Sequence, residues 1–473
     1  MTDFDPTAPL TAYVAALDRR EISARELLTT LLDRVERLDG DVNAVVTRDA
    51  ERALATATAI DDRRARGEPV GPLAGVPVTI KDAIATAGTR STGGAVELAD
   101  HIPDEDAAVV ARLRDAGAVV FGKTNVPRWS SDYQSYNEIF GTTNNPWDLT
   151  RTPGGSSGGP AAAVAMGFTA FEVGTDIGGS IRVPSSFCGI VGHKPSFGIV
   201  PSYGYLDNAR SHRNVADVNV FGPMARSVED ADLLLGLLAG PNPDDAAAWR
   251  LDLPPARATE LADFRVAAWV DDDILQVHPA VGDVLRAAVD TLDAAGARID
   301  RDRRPAFDAG VAARDGLRLI SAATTISDTD DEYAATSSAG LELDHRAWDV
   351  LHRQRGDVRR RWADFFADVD ILLCPVIPVP AFRHVHSTAG PNWVHATIEE
   401  FGDVHYSELI LWSALIGSAY LPSTATPVGF TAGGLPVGIQ VVAPYLHDRT
   451  ALAFARCVED VLGGYVPPPL ASR

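Results

Sequence analysis

The apolar positions follow two different periods along the chain. From Ala24 to Leu38, Leu27, Leu28, Leu31, Val35 and Leu38 recur at three- and four-residue steps, which predicts an amphipathic helix. A second helical stretch runs from Arg48 to Arg66 and stops before Gly67 and Pro69. The run Ala74-Gly75-Val76-Pro77-Val78-Thr79-Ile80 has no helical period and predicts a buried strand ending at Lys81. Ala107 to Ala116 predicts a helix closed by Gly117, and Ala118-Val119-Val120-Phe121-Gly122 a second buried strand. Pro160 to Met166 predicts a helix with its proline in the first turn, where a missing N–H costs little. Phe264 to Val270, Ile371 to Cys374, Thr426 to Phe430 and Val437 to Val442 are further strands, and Thr431-Ala432-Gly433-Gly434 turns the last two into a hairpin. Strands interleaved with helices give an α/β fold built on a large, largely buried sheet. No repeat, linker or low-complexity stretch divides the 473 residues, so a single unit spanning 1–473 is expected, although the length allows about three domains. The stretch from Asp300 to Asn392 is less regular, and Asp328, Asp330, Asp331 and Glu332 within it read as a solvated loop.

Composition narrows the class. A 46% hydrophobic content suits a large core, yet no apolar run is long enough to span a membrane. Met1-Thr2-Asp3-Phe4-Asp5 lacks the basic and apolar regions of a signal peptide. Cys188, Cys374 and Cys457 are too few and too scattered for a disulfide framework or a zinc site, so a reducing cytoplasm is the expected compartment. A net charge of −22 argues against nucleic acid or anionic lipid as a partner.

The basic residues carry the first chemical signal. Of 42 Lys and Arg residues only Lys81, Lys123 and Lys194 are lysine. A lysine retained against such a bias suits a role arginine cannot fill, because a buried lysine can lose its proton and act as a base. Lys81 also ends a buried strand and so projects from a rigid element. The second signal is a pair of serines in glycine-rich loops 24 residues apart, Gly154-Gly155-Ser156-Ser157-Gly158-Gly159 and Gly174-Thr175-Asp176-Ile177-Gly178-Gly179-Ser180. Glycines let successive N–H groups converge on one point, as an oxyanion hole requires. The amides of Ile177, Gly178, Gly179 and Ser180 are the candidates. A serine hydroxyl needs a base to become a nucleophile. Ser156 can relay a proton from Ser180 to Lys81, because a hydroxyl both donates and accepts. Such acyl transfer needs neither metal nor cofactor.

Other residues have plainer readings. Thr175 can bond the Ser156 hydroxyl or serve as an ordinary structural threonine, and Ser157 can help cap the following helix. Cys188 reads as a small buried hydrophobe. His193 and His212 are single histidines with structural readings, and His384, His386 and His395 are too loosely spaced for a metal site.

Taken together these residues resemble the amidase signature family. The matching stretches are GPLAGVPVTIKD ending at Asp82, GKTNVPRWSSDYQSYN from Gly122, GTTNNPWD from Gly141, TPGGSSGGPAAAVA from Thr152, GTDIGGSIRVPSSFCGIVGHKPS from Gly174, and LPVGIQVVAPYLHDRTAL nearer the C-terminus. The resemblance covers most of the chain, with a dense core at about 71–227 and a variable covering region at about 300–420. It implies a large central mixed β-sheet surrounded by helices. It also implies a Ser-cisSer-Lys triad of Ser180, Ser156 and Lys81, with the peptide bond before Ser156 cis. The implied activity is conversion of a carboxylic amide to carboxylate plus ammonia or amine. Asp176 and Arg182 would pair behind the Ser180 turn. Trp129, Tyr133, Tyr136, Asn137 and Phe140 fall where the family lines its acyl pocket, and Trp412 is a candidate from the C-terminal half. A homodimer binding a small-molecule amide is compatible with the family. Pro160 and His193 depart from its commonest residues without touching the triad.

Three alternatives stay open. Gly154-x-Ser156-x-Gly158 matches a nucleophile elbow of an α/β-hydrolase-type esterase, although Asn144-Asn145-Pro146-Trp147-Asp148 upstream is turn-like rather than a strand. A glutamine amidase component of an amidotransferase would share the triad. A non-enzymatic binding module would use the glycine loops for phosphate, but neither loop has the Gly-Lys-Ser/Thr ending of a P-loop.

Overall fold

The computed structural model describes residues 4–206, 215–324, 343–386, 392 and 396–473. His212, His395, Asp328, Asp330, Asp331 and Glu332 lie outside the described residues.

The first long helix shows how local chemistry fixes an element. Ser23 caps it by accepting from the Glu26 N–H, and the Glu26 side chain returns the bond to the Ser23 N–H. The helix then runs Ala24–Val42, a turn beyond the predicted end, and stops at Asn43 in the left-handed region. Its leucine face is buried.

Two sheets frame the molecule. A small one contains β1 (Val45–Arg48), β2 (Pro77–Lys81) and β3 (Val119–Thr124) in the order β1-β3-β2. β2 and β3 run parallel, with Ile80 opposite Lys123 and Lys81 opposite Thr124. Two short ladders stand apart, β4 (Tyr136–Asn137) with β5 (Gly141–Thr142), and β12 (Thr397–Ile398) with β13 (Val404–His405). The large sheet collects β6 (Glu172–Asp176), β7 (Val191–Lys194), β8 (Val220–Ala225), β9 (Arg265–Ala268), β10 (Arg298–Asp300), β11 (Ile371–Pro375), β14 (Ser423–Phe430) and β15 (Pro436–Val442). Its order is β10-β9-β11-β15-β14-β7-β8-β6, mixed in direction and surrounded by helices. β14 and β15 form the expected antiparallel hairpin.

The strand ending at Lys81 therefore lies in the small sheet, not in the large one. The two sheets meet at Glu172, the first residue of β6. Its Oε1 accepts from Thr79 on β2 at 2.7 Å and from Thr124 on β3 at 2.8 Å. β6, β7 and β8 do not read as apolar runs, since glycine, proline and charged residues interrupt them. Close packing explains the glycines: a Cβ on Gly174 would stand 2.6 Å from Met224 Sδ and 3.1 Å from Ser157 Oγ.

Candidate functional site

Three elements converge at the seam between the sheets. β2 delivers Lys81 at its last position, the glycine loop before the helix Gly158–Ala165 delivers Ser156 and Ser157, and β6 delivers Thr175 and Asp176. Lys81 is fully buried. Its Nζ lies 2.7 Å from Ser156 Oγ, 2.9 Å from Ser157 Oγ and 2.7 Å from Thr175 Oγ1. Lys81 forms no ion pair among the described residues. Burial pulls its pKa down to about 7, against the weaker opposing pull of Asp176 and Glu172. Hydroxyl partners tolerate either state, because each can accept from an ammonium or donate to the lone pair of a neutral amine. The Gly155–Ser156 peptide bond is cis.

Thr175 and Ser157 differ from their sequence readings. Thr175 meets Lys81 rather than Ser156. Ser157 sits at the helix N-cap but makes no side-chain capping bond; its hydroxyl belongs to the lysine instead. Nothing in the local sequence separates such a serine from an ordinary cap. The signal is only its adjacency to Ser156.

The second loop is organised by Asp176. This carboxylate accepts from the backbone N–H groups of Gly179 at 2.8 Å, Ile181 at 3.1 Å and Arg182 at 3.3 Å. The Arg182 guanidinium grips it through Nη2 at 2.8 Å and Nε at 3.0 Å, both side chains being fully buried. Burial alone would raise the carboxyl, but the charge and hydrogen bonds of Arg182 prevail and hold it at about 2. Arg182 continues to Gln440 Oε1 at 2.8 Å and the Ser413 carbonyl at 3.2 Å, which anchors the loop to β15 and the helix Leu411–Gly417. Gly179 has φ +120°, and a Cβ there would lie 2.7 Å from Ser413 Oγ, so glycine is required twice over. The amide of Gly179 is thus engaged by Asp176. Those of Ile177, Gly178 and Ser180 have no acceptor among the described residues. Ser180 is 6% exposed, and the Ser180 carbonyl accepts from the Ser157 N–H at 3.2 Å, which holds the two serine loops together.

The residues expected to line a pocket divide. Tyr133 is buried, and its hydroxyl donates to the Gly178 carbonyl, beside the loop. Ile177 packs against an apolar cluster that includes Tyr133, Ile320, Ile377 and Ile410. Tyr136 stacks on His386 at 3.8 Å and reaches Asp132 Oδ2 at 3.2 Å. Trp129 is buried near Gly93 with φ +52°. Asn137 spends its side chain on the local chain path: its Oδ1 accepts from the Ile139 and Phe140 amides, and its Nδ2 donates to Asn125 and Val126. Phe140 lies under the Arg90 guanidinium, 5.1 Å from the ring centre. Trp412 is core. It meets Trp269 edge-on at 5.3 Å and donates to the Leu275 carbonyl at 3.1 Å, while its neighbour Ser413 takes the side facing Gly179.

His193 is a strut: its ring nitrogens meet Thr424 Oγ1 at 2.9 Å and Asp448 Oδ1 at 3.2 Å. Cys188 is buried and its thiol is pushed up by desolvation, unfit as a nucleophile. Among the described residues no group of three metal-ligating side chains is gathered, and no helix is long and apolar enough to cross a membrane.

Comparisons with known proteins bear on the family and the fold. A family model described as Amidase matches residues 26–346 and 334–452. The A subunit of glutamyl-tRNA(Gln) amidotransferase from Moorella thermoacetica is 34% identical over 478 residues, covering 94% of each chain. Its counterpart in Thermosynechococcus vestitus is 34% identical, covering 94% of this chain and 96% of the relative. A solved bacterial aryl acylamidase of the amidase signature family superimposes with a TM-score of 0.83 at 26% identity, over 96% of both chains. The A subunit of the Thermotoga maritima glutamyl-tRNA(Gln) amidotransferase does so with a TM-score of 0.79 at 25% identity, over 99% of both.

Proposed function

The chain belongs to the amidase family of enzymes that act on amides, and from that premise we propose that it hydrolyses a carboxylic amide through an acyl-enzyme on Ser180. The observation that carries this reading is the surroundings of Lys81, a buried amine that meets three hydroxyls and no carboxylate. Such an amine gives up its proton around pH 7, and the lone pair then freed can take a proton from Ser156.

Ser156 in turn takes the proton of Ser180 as the Ser180 Oγ attacks the amide carbon. The carbonyl oxygen becomes an oxyanion held by the amides of Ile177, Gly178 and Ser180; losing one such donor typically costs about 3 kcal/mol in the transition state. As the tetrahedral intermediate collapses, Ser156 gives its proton to the leaving nitrogen and is reprotonated by Lys81. The amine departs. Water then attacks the ester by the same relay, and the carboxylate leaves with Ser180 restored.

Ammonia release from a panel of primary aryl and aliphatic amides tests this reading. Wild type is expected to turn over, and Ser180→Ala and Lys81→Ala are not. Activity surviving Ser180→Ala would overturn the assignment of the nucleophile.

A second reading rests on the relatives that are components of an amidotransferase. In it the same triad hydrolyses glutamine and passes ammonia to a partner protein. Turnover of small amides by the chain alone supports the first reading; glutamine hydrolysis that appears only with a co-purifying partner supports the second.

A further inference from the structure

Asn219 is 3% exposed, and neither its Oδ1 nor its Nδ2 has a hydrogen-bond partner among the described residues. Native proteins rarely leave both ends of a buried carboxamide unpaired. Its position gives this meaning. Val220, the first residue of β8, pairs with Asp176, the last residue of β6. Asn219 and Ile177 are the residues that next follow this pair along the two antiparallel chains, and the Ser180 loop begins at Ile177. On the other side of Asn219, Val218 is buried in the cluster with Tyr133, Ile320 and Ile410.

The turn that carries Asn219 is pinned. The Asn219 N–H donates to the Ala216 carbonyl at 3.3 Å. Asp217 accepts from Arg355 Nη1 at 2.7 Å, from the Tyr420 hydroxyl at 2.6 Å and from the Val218 N–H at 2.9 Å. Val218 is held at φ +60°, which a β-branched residue adopts only under constraint. The nearby charges are spent on each other, Asp176 with Arg182 and Asp217 with Arg355.

We propose that Asn219 is a specificity-determining residue that hydrogen-bonds the acyl part of the substrate, which carries a neutral group with both a donor and an acceptor, a second carboxamide or a ureido group. This rests on amide hydrolysis at Ser180. Ser156 and Lys81 must face the leaving nitrogen, which leaves the Ile177 side of the loop to the acyl part. A charged substituent finds no unpaired counter-ion there among the described residues.

The test compares succinamide with isocaproamide, in which an isopropyl group replaces the second carboxamide. Wild type is expected to prefer succinamide by at least about 10-fold in kcat/KM. Asn219→Leu, which fills the same space without polar atoms, is expected to lose that preference through KM. It should keep isocaproamide turnover within about two-fold and melt no lower than wild type, because an unpaired buried group has been removed. Asn219→Thr, a smaller change, should lie between them and guards against a misfolded leucine variant. Equal losses on both amides, or a fall in melting temperature with the preference intact, would make Asn219 structural and overturn the inference. Wild-type turnover of both amides without discrimination would do the same while leaving amide hydrolysis standing. Failure of wild type on every amide in the panel would overturn the reading beneath it, and the role of Asn219 with it.

Discussion

Lys81 ends β2 and Lys123 is the last but one residue of its parallel neighbour β3, one residue out of register, and both are fully buried. Their surroundings differ in kind. Lys81 meets three hydroxyls. Lys123 donates to the Ile84 carbonyl at 2.5 Å and the Thr86 hydroxyl at 2.8 Å, and its largest electrostatic neighbour is the buried carboxylate of Asp82. Burial lowers both amines, Lys81 to about 7 and Lys123 to about 8. A carbonyl can only accept and a carboxylate favours the ammonium, so Lys123 is held in its charged form. Burial alone does not make a lysine a base. Partners that can hand a proton back do.

Exchanging the headgroup at each site is the strongest way to break the comparison. Lys81→Arg keeps a cation that cannot deprotonate, and kcat for amide hydrolysis is expected to fall by about 10²–10⁴-fold with the fold intact. Retention of most of the activity would end the distinction. Lys123→Met should act on stability instead, costing about 3 kcal/mol in denaturant unfolding because Asp82 loses its compensating charge. Activity per folded molecule should stay within about 10-fold of wild type. Ser157→Ala sharpens the comparison by removing one hydroxyl from the lysine cage. A fall of about 10-fold in kcat with little change in KM is expected. No change would reduce the cage to Ser156 and Thr175.

Much of this was legible in the sequence, for identifiable reasons. Lys81, Ser156 and Ser180 stood out because glycine spacing and the scarcity of lysine are local signals. The Asp176–Arg182 pair was implied by the family resemblance, and the two side chains do meet. The mixed sheet and the hairpin of β14 and β15 also follow the expected pattern. What escaped depends on tertiary direction. Ser157 reads as a helix cap until Lys81 is seen beside it, and Asn219 has no neighbour in sequence that betrays an unpaired side chain. Trp412 reads as a pocket aromatic, but a helix turns successive side chains apart, so Ser413 faces the loop and Trp412 the core. Asn137 is a short polar side chain that folds back on its own backbone. β6 to β8 were hidden by the glycines and polar residues that their close packing demands.

The state of Lys81 is open to one direct measurement, kcat/KM for a primary amide against pH. With Lys81 as the proposed base the free enzyme needs it neutral, so kcat/KM should be low below the lysine pKa and rise tenfold per pH unit towards a plateau through about pH 7. A profile that is flat across this range, or a rising limb that persists unchanged in Lys81→Ala, would contradict a neutral lysine base.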